Sequence, residues 1–511
     1  MPLDGRGLAA CSLRYTFMER PGACKFRLTL PGSRCNLRAV RNFVMRLRLF
    51  VIITSFWFVA LPSPGEPAAR PPATPVITAT EADKLAWFKN AKFGMFITWG
   101  LYSVPAGSWH GLTENHPYGE WIEWALDIPH ADYAALAQTW NPRQFDAEAW
   151  VTAAASAGMK YLLITAKFHD GFLMYPSRLT PYNLRDATAW PHDPVQELGD
   201  ACARHNLKFG VYWNHVYDWQ DPHALRPDWR HPGASATDIK HAPGRDLDKY
   251  INEVSLPQLR ELLLTHPQIS FVWFDQAGKT PALTPARAQQ FADLIHAINP
   301  RIIFNSRIGP CPSDYQSEGD NEIPTGQNHQ PWETAGTMNA TWGYKQQDTH
   351  FKSAATLLHN LIDIASKGGN YILNVGPTGE GVIPAPELER LQVIGQWLKV
   401  NGDSIYGTQA SPFPKPFAWG RVTQQPGQLY LHVFPWPAEG KLLLPIINSS
   451  IRVRWLASGK KLPAMPTPDG WQITLPATAP DPIASVIAVD CTRPLVFPKA
   501  SPDEPPQPGP H

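Results

Sequence analysis

The chain has 511 residues, with 45 Lys and Arg against 44 Asp and Glu, and 43% of its residues are hydrophobic. This length predicts two or three domains of roughly 150 residues each. A net charge of +1 argues against a basic nucleic-acid-binding protein, and the apolar content argues against a disordered chain. The 20 tryptophans provide flat faces of the kind that stack on sugar rings.

The first 75 residues are typical of targeting and linker segments. Arg46 and Arg48 precede a thirteen-residue apolar run, Leu49–Leu61. This run has the length of a signal-peptide core and is shorter than a membrane-spanning helix. We therefore expect residues 1–75 to comprise a basic extension, a signal peptide and a Pro-rich linker. The protein is expected to be exported, to the periplasm or the extracellular space, with no membrane attachment beyond that signal.

Residues 80–405 alternate short apolar runs with helical segments, a pattern typical of a parallel β/α domain. The predicted strands are Phe93–Thr98, Tyr161–Ala166, Phe209–Trp213, Phe271–Phe274, Ile302–Asn305 and Tyr371–Val375. The segment is long enough for a (β/α)8 TIM barrel, so two strands are expected that the pattern does not reveal.

Helix boundaries are readable between these strands. Asp193 and Gln196 form a capping-box pattern, Thr284 precedes Pro285 at a second helix start, and Gly368 ends a third helix. Helices alternating with strands in this way support the barrel interpretation.

The hydrophobic pattern of the sequence changes after the barrel segment. Residues 410–492 contain period-2 runs, such as Gln428–Phe434 and Trp471–Leu475, separated by Pro and Gly. They predict a small all-β domain. Residues 493–511 form a Pro-rich tail with too little apolar content to fold.

Polar and aromatic residues cluster just after the predicted strands, where the reacting groups of a β/α barrel lie. They are Thr98, Trp99, Glu120, Trp121, His169, Trp213, Trp273, Asp275 and Arg307. Carboxylates, imidazoles and a guanidinium bind hydroxyls, and indoles hold the apolar face of a sugar. The pattern therefore predicts a site for a neutral polyol.

Asp275 is the strongest single candidate for a functional residue, because burying a carboxylate at the end of an apolar strand costs free energy unless it is paired or has a function. Asp275 could instead have the structural role of a helix cap. His169 could be a core histidine that does not contact a ligand, and Arg307 could form an ion pair with Asp320 or Asp314 rather than bind a ligand. No histidine pair with metal-ligand spacing is present, so we expect no metal and no organic cofactor.

Glycoside hydrolysis needs a second carboxyl group, and four candidates follow Arg307. They are Glu318, Asp320, Glu322 and Glu333. Glu333 is preceded by Trp332, a setting that can raise a carboxyl pKa toward that of a general acid. The alternative for residues 318–322 is a solvated acidic loop.

Seven motifs in chain order closely resemble those of the glycoside hydrolase family 29 α-L-fucosidases. The motifs span Trp87–Ala106, Ala166–Phe172, Val272–Asp275, Asn305–Arg307, Pro331–Thr334, Thr341–Tyr344 and Ser366–Pro377. The resemblance covers about residues 80–490. It implies a (β/α)8 barrel followed by a C-terminal β-sandwich, acting on a fucosylated glycan, with homo-oligomer formation as a possibility.

The resemblance also implies residue roles for a retaining exo-hydrolase that removes terminal α-L-fucose. Asp275 would be the nucleophile and Glu333 the acid/base, with Glu318 or Asp320 as the alternatives. The expected sugar-binding residues are Thr98, Trp99, Glu120, Trp121, His169, Trp213, Trp273, Arg307 and Trp342.

The chain departs from the family pattern at two positions. Thr98 stands where the family usually has His, and Phe168 replaces the first residue of a His-His pair. Sites that hydrogen-bond a hydroxyl are sensitive to such losses. An α-L-galactosidase and a non-catalytic fucose-binding protein therefore remain alternatives, and a metal-dependent barrel hydrolase is a third.

Overall fold

Eight parallel strands form the central sheet of the protein. The computed structural model describes residues 81–190, 192–226, 245–275, 282–328, 330–491 and 494–498, all within one compact unit, Ile77–His511. The predicted signal peptide lies outside the described residues. Of the predicted tail, residues 494–498 are described, and Val496 N–H donates to Asn448 Oδ1 at 3.0 Å. This part of the tail therefore packs on the C-terminal strands, contrary to the prediction that it would not fold. The eight strands are β1 (Phe93–Ile97), β4 (Tyr161–Lys167), β5 (Lys208–Trp213), β6 (Ile269–Phe274), β7 (Ile303–Phe304), β8 (Gln316–Ser317), β9 (Trp332–Gly336) and β10 (Asn370–Val375).

The sheet closes into a barrel whose strands follow chain order. The strand order is β7-β6-β5-β4-β1-β10-β9-β8, and every pairing is parallel. Asn305 and Tyr315 join the two ends of this sheet by a single parallel bridge, in which Ser306 N–H donates to Tyr315 O at 2.9 Å. The predicted TIM barrel is confirmed, and its seam lies between β7 and β8.

The six predicted strands are present, and β8 and β9 are the two that the pattern did not reveal. Strand β8 has only two residues, both polar, and β9 reads Trp-Glu-Thr-Ala-Gly although all five residues are buried. A short polar strand and a strand of small and charged residues lack the apolar signal on which strand prediction depends.

Helices pack around the barrel. The α-helices are Glu81–Ala91, Ile122–Ala125, His130–Ala134, Leu136–Thr139, Ala147–Ser156, Leu184–Ala187, Pro194–Arg204, Leu247–Tyr250, Leu256–Thr265, Pro285–Ile298, Ala354–Ser366 and Ala385–Asn401. Shorter 3-10 turns cover Leu101–Ser103, Gly119–Trp121, Ser306–Ile308 and Gly402–Ser404, and a π-helical turn covers Ile251–Ser255. A two-strand hairpin, β2 (Ser108–Trp109) and β3 (Leu112–Thr113), stands in the loop after β1.

The predicted helix starts are present, with one difference. Asp193 accepts from Gln196 N–H at 3.0 Å, but the returning bond from Asp193 N–H goes to Glu197 rather than to Gln196. Thr284 caps the second helix, and Gly368 follows the third with a φ of +87°. Satisfied N–H groups at these ends set where each helix begins.

The C-terminal strands form two packed sheets. One sheet has the order β11-β12-β17-β14 and the other β13-β16-β15. Their bounds are β11 (Gly420–Gln425), β12 (Gln428–Val433), β13 (Lys441–Leu444), β14 (Ile451–Trp455), β15 (Ala464–Thr467), β16 (Gly470–Thr474) and β17 (Ser485–Cys491).

A shared apolar core holds the two sheets together as a sandwich. Leu429 and Leu431 of β12 meet Leu442 and Leu444 of β13 in one buried cluster. The alternate residues of β13 are exposed, as expected of a sandwich, whereas Tyr430 and His432 of β12 are buried, with His432 beside Trp397 of the barrel. Strand β17 is preceded by Ala484, whose carbonyl accepts a hydrogen bond from barrel Trp397 Nε1 at 2.8 Å, so the sandwich is fastened to the barrel.

Candidate active site

A cavity of about 980 Å³ opens at the carboxyl ends of the barrel strands. Consecutive strands each contribute a side chain to its wall: Thr98, His169, Tyr212, Asp275, Arg307 and Glu318. Because parallel strands all end at the same rim, residues far apart in sequence converge here. The volume is at the upper end of the range for small-molecule sites, roughly 300–1,000 Å³.

Asp275 is held by two hydrogen bonds, one on each carboxylate oxygen. Arg307 Nη1 donates to Oδ1 at 3.1 Å, and the Tyr212 hydroxyl donates to Oδ2 at 2.9 Å. These donors stabilise the ionised form and fix the plane of the carboxylate. Asp275 is therefore oriented toward the cavity as a carboxylate, which is what a nucleophile requires.

Arg307 connects Asp275 with the segment that follows β8. Its Nη2 donates to Asp320 Oδ1 at 2.5 Å and to the Glu318 carbonyl at 2.7 Å. The guanidinium also lies 4.6 Å from the centroid of the Trp273 ring. The predicted alternative of an Arg307–Asp320 ion pair is thus present, and it coexists with the contact to Asp275.

Glu333, the predicted acid/base, lies away from the cavity wall. Glu333 is fully buried on β9 and does not line the cavity. Tyr161 OH donates to its Oε2 at 2.6 Å and Trp273 Nε1 to its Oε1 at 2.9 Å. Burial raises the Glu333 pKa to about 7, but a proton donor must reach the leaving oxygen. Glu333 instead supports the Trp273 ring.

Three other predicted carboxyl residues, Glu318, Asp320 and Glu322, do line the cavity. Asp320 Oδ1 forms an ion pair with Arg307 Nη2 at 2.5 Å. Glu318 Oε1 accepts from Asn328 Nδ2 at 3.2 Å, a bond to a neutral partner. Glu318, the predicted alternative to Glu333, is thus on the cavity wall.

Glu120, on the 3-10 turn Gly119–Trp121, is a buried carboxyl in the cavity wall. Its Oε2 accepts from Gly343 N–H at 2.8 Å, and burial raises its pKa to about 8. A protonated carboxyl at neutral pH both donates and accepts hydrogen bonds. Glu120 is thus suited to bind a neutral hydroxyl.

His169 is buried and faces the cavity beside Trp121, with ring centroids 4.7 Å apart. Burial lowers the His169 pKa to about 4, so the ring is neutral. It follows the carboxyl end of β4 in a tight turn through Asp170 and Gly171. Gly171 has a φ of +77°, and a Cβ there would lie 2.2 Å from Asp218 Oδ1.

Two tryptophans that were predicted to bind the sugar lie away from the cavity. Trp99 and Trp213 are fully buried and absent from the cavity wall. Trp99 stacks on Phe145 at 5.4 Å, and the ammonium of Lys167 lies 5.5 Å from the Trp213 ring centroid. Both side chains point out of the barrel, because successive residues of a strand face opposite sides.

The same alternation identifies a residue that the sequence analysis missed. Tyr212, directly before Trp213, faces the cavity and contacts Asp275. On β6, Trp273 lines the cavity while Phe274 faces away, and Asp275 returns to it. Tyr212 pairs with Trp273 across β5 and β6, so the two side chains face the same side of the sheet. That register comes from the pairing of the strands and no signal in the sequence indicated it.

The remaining predicted residues are on the wall. Trp121, Trp273 and Trp342 line the cavity with Thr98, and Thr98 Oγ1 donates to Asn374 Oδ1 at 2.6 Å. Phe168 lines it as well, stacked on Tyr212 at 5.6 Å. The two departures from the family pattern therefore both face the cavity. Tyr118, Tyr217 and Cys311 are further lining residues that no motif had indicated.

The described residues contain neither a cluster of metal ligands nor a membrane-spanning helix. No group of three or more His, Cys, Asp or Glu side chains in that part of the chain could hold a metal ion. In the same residues, no helix has the length and apolar character needed to cross a bilayer.

The barrel and its rim of carboxyl, imidazole and indole groups have the form of a carbohydrate-active site. A family model described as α-L-fucosidase matches residues 66–403, and the chain belongs to that family. Tissue α-L-fucosidase of Bos taurus is 29% identical over 84% of this chain and 94% of that protein.

Solved structures that resemble this chain are also α-L-fucosidases. An α-L-fucosidase from Vibrio sp. strain EJY3 is 32% identical with a TM-score of 0.74, covering 81% of this chain and 74% of that one. Isoenzyme 1 of α-L-fucosidase from Paenibacillus thiaminolyticus is 31% identical with a TM-score of 0.72, covering 81% of this chain and 99% of that one.

Proposed function

We propose that this chain is a retaining α-L-fucosidase that removes terminal α-L-fucose from fucosylated glycans. The observation that carries the proposal is that Arg307 and Tyr212 both donate hydrogen bonds to Asp275, in a cavity that Glu318 also lines. Membership of the α-L-fucosidase family supports the choice of sugar.

In the first step, Asp275 attacks the anomeric carbon while the protonated Glu318 donates its proton to the departing glycosidic oxygen. A covalent fucosyl ester of Asp275 results, and the anomeric configuration inverts. Retaining glycosidases hold their two carboxyl groups about 5–5.5 Å apart. Both residues line the same cavity, and Arg307 bonds the carboxylate of Asp275 and the backbone carbonyl of Glu318.

In the second step, Glu318 takes a proton from water, and the water attacks the anomeric carbon of the ester. Configuration inverts again, so the net outcome is retention. Arg307 and Tyr212 donate to Asp275 both as an attacking and as a departing carboxylate, which stabilises the charge that develops on it.

Binding of the sugar falls to the remaining wall. Trp273 and Trp342 offer indole faces to its apolar side, and His169 and Glu120 offer polar atoms to its hydroxyls. All the proposed catalytic and sugar-binding roles are carried by side chains of the cavity wall.

The test is release of nitrophenol from p-nitrophenyl α-L-fucoside by the wild-type protein and by Asp275→Gly. We expect turnover that disappears in the variant and returns with azide, giving β-fucosyl azide because a single displacement inverts configuration. Residual turnover of the variant without azide would overturn the role of Asp275.

The alternatives are separated by the same assay. Turnover of p-nitrophenyl α-L-galactoside above that of the fucoside would assign the changed wall at Thr98 and Phe168 to a different sugar. Binding of fucose without turnover of either substrate would indicate a binding protein.

We further propose that the protein is exported. The support is the sequence of residues 46–61, which matches a signal peptide. Fractionation of cells expressing the full chain, followed by N-terminal sequencing, tests this. A cytoplasmic protein with an uncleaved N-terminus would contradict it.

A further inference from the structure

Asn214 follows β5, is fully buried, and has its amide oxygen fixed by the backbone. Its Oδ1 accepts from Tyr217 N–H at 2.7 Å and from Val216 N–H at 3.2 Å. Only an acceptor can face two N–H donors, so the oxygen must lie on this side of the amide. The amide nitrogen is consequently fixed on the other side.

That nitrogen lies 2.6 Å from Nδ1 of His169. An amide nitrogen can donate but cannot accept, so Nδ1 must offer its lone pair. A neutral imidazole carries one proton, which therefore resides on Nε2. Since His169 lines the cavity, its proton-bearing nitrogen is the one left to meet a ligand.

We propose that Asn214 is a positioning residue that fixes His169 as its Nε2–H tautomer, so that the imidazole donates a hydrogen bond to a hydroxyl of the bound sugar. The part of the inference that concerns the sugar rests on the proposed function. The part that concerns the tautomer does not.

The same amide also acts on Tyr212. Asn214 Nδ2 lies 3.4 Å from the Tyr212 oxygen, and Tyr212 in turn donates to Asp275 Oδ2 at 2.9 Å. With the amide donating to the phenol oxygen, the phenol proton is directed at Asp275. One buried amide thereby sets a donor toward the sugar and a donor toward the nucleophile.

The surroundings of His169 leave Asn214 as the group that selects the tautomer. Asp275 is the charged group that acts on the imidazole, and it favours protonation. The other groups around the ring are aromatic: Trp121, Phe168, Tyr217 and Trp219. Burial among these rings keeps His169 neutral, with a pKa of about 4.

The decisive variant is Asn214→Asp, which has nearly the same shape. One carboxylate oxygen still accepts from Val216 and Tyr217, but the other replaces a donor by an acceptor next to His169 Nδ1. The His169 pKa should rise, and above that pKa the single ring proton moves to Nδ1. Nε2 then carries a lone pair and can no longer donate.

The expected result is a new limb in the pH profile of kcat/KM on the aryl fucoside. Asn214→Asp should lose about tenfold at alkaline pH, the loss expected for one neutral hydrogen bond. It should recover on acidification, because imidazolium carries a proton on Nε2 again. Asn214→Leu, which removes the donor without adding a charge, should lose activity with no new limb.

The tautomer itself is read by ¹⁵N NMR of histidine-labelled full-length protein, without any substrate. We expect wild type to show a protonated Nε2 and an unprotonated Nδ1 for His169, and Asn214→Asp to show a protonated Nδ1. Tyr212→Phe is the control, because it removes the contact to Asp275 and should leave the His169 resonances in the wild-type pattern.

Two outcomes would overturn the proposal. One is a wild-type His169 with its proton on Nδ1, and the other is an Asn214→Asp profile with the wild-type shape at a uniformly lower level. An inactive wild type with the expected His169 tautomer would instead remove the proposed function and retain the role of Asn214.

Discussion

Arg307 contacts the proposed nucleophile and the proposed acid/base segment with a single guanidinium. Nη1 donates to Asp275 at 3.1 Å, while Nη2 donates to the Glu318 carbonyl at 2.7 Å and to Asp320. The bond to the Glu318 carbonyl holds the segment after β8 against β7, at the seam of the barrel. The side chain that orients the proposed nucleophile thus also contacts the segment that carries the proposed acid/base.

We expect Arg307→Lys to lower kcat/KM roughly 100-fold, since displacement of a reacting group by about 1 Å costs that much. Lysine keeps the charge but cannot contact both sides with fixed geometry. Steady-state kinetics on the aryl fucoside measure this. Asp320→Asn is the matched control: it removes one anionic partner of Arg307 and leaves the bond to Asp275, so its loss should be clearly smaller. An equal or larger loss in Asp320→Asn would contradict the role given to the Asp275 contact.

Glu318→Gln should lower activity far more on a fucosylated oligosaccharide than on p-nitrophenyl fucoside. Nitrophenol leaves readily without a proton, whereas a sugar hydroxyl needs one, and general acid catalysis contributes roughly 10²–10⁴-fold. The ratio of kcat/KM on the two substrates checks this. With azide, Glu318→Gln should give α-fucosyl azide on the aryl substrate.

Glu333→Gln is the matched comparison. It weakens the support of Trp273 but removes no proton donor from the cavity, so both substrates should lose activity by the same factor. If Glu333→Gln rather than Glu318→Gln changes the substrate ratio, Glu333 and not Glu318 is the acid/base.

The sequence predicted the barrel strands well, but it predicted poorly which residues of each strand face the cavity. Long apolar strands such as Tyr161–Lys167 carry a clear signal, whereas β9 buries Glu333 among small residues and carries none. Trp213 and Tyr212 are adjacent, and which one enters the cavity depends on strand register. Register is set by pairing with neighbouring strands, which a single sequence does not reveal.

Site residues that directly follow strands were predictable for a physical reason. Asp275 and Arg307 stand where the chain leaves the sheet, so their position depends only on where the strand ends. The role of Asn214 was not predictable, since it arises from atoms of three segments that meet only in the folded chain.

Glu120 should make the free energy of unfolding depend on pH. Its pKa is about 8 in the folded protein against an ordinary 4.5, because burial opposes ionisation. The folded state then binds more protons than the unfolded state, so this carboxyl costs stability progressively as pH rises from about 4.5 to about 8. Glu120→Gln should remove this part of the fall, so its Tm should drop less than that of wild type between pH 5 and pH 8.

Glu387 provides the control for this effect. It is buried, accepts from Gly376 N–H, and also has a pKa raised to about 8 by burial, but it does not line the cavity. Glu387→Gln should flatten the Tm profile in the same way while retaining activity, whereas Glu120→Gln should weaken substrate binding. If the Tm of wild type and of both variants fell by the same amount between pH 5 and pH 8, the raised pKa values of Glu120 and Glu387 would be contradicted.

Gly171→Ala should destabilise the protein and reduce activity together, because the turn that carries His169 has no room for a Cβ. The φ of Gly171 is +77°, and the added carbon would lie 2.2 Å from Oδ1 of Asp218, which is anchored by Lys167 at 2.8 Å. Backbone strain of this kind costs roughly 1–3 kcal/mol. Gly111→Ala is the matched control, since Gly111 has a φ of +83° with open space around it and reports the backbone cost alone. Urea unfolding of both variants gives the difference, which isolates the clash with Asp218. Equal destabilisation of the two would show that Asp218 yields, and full activity of Gly171→Ala would show that His169 keeps its position without this turn.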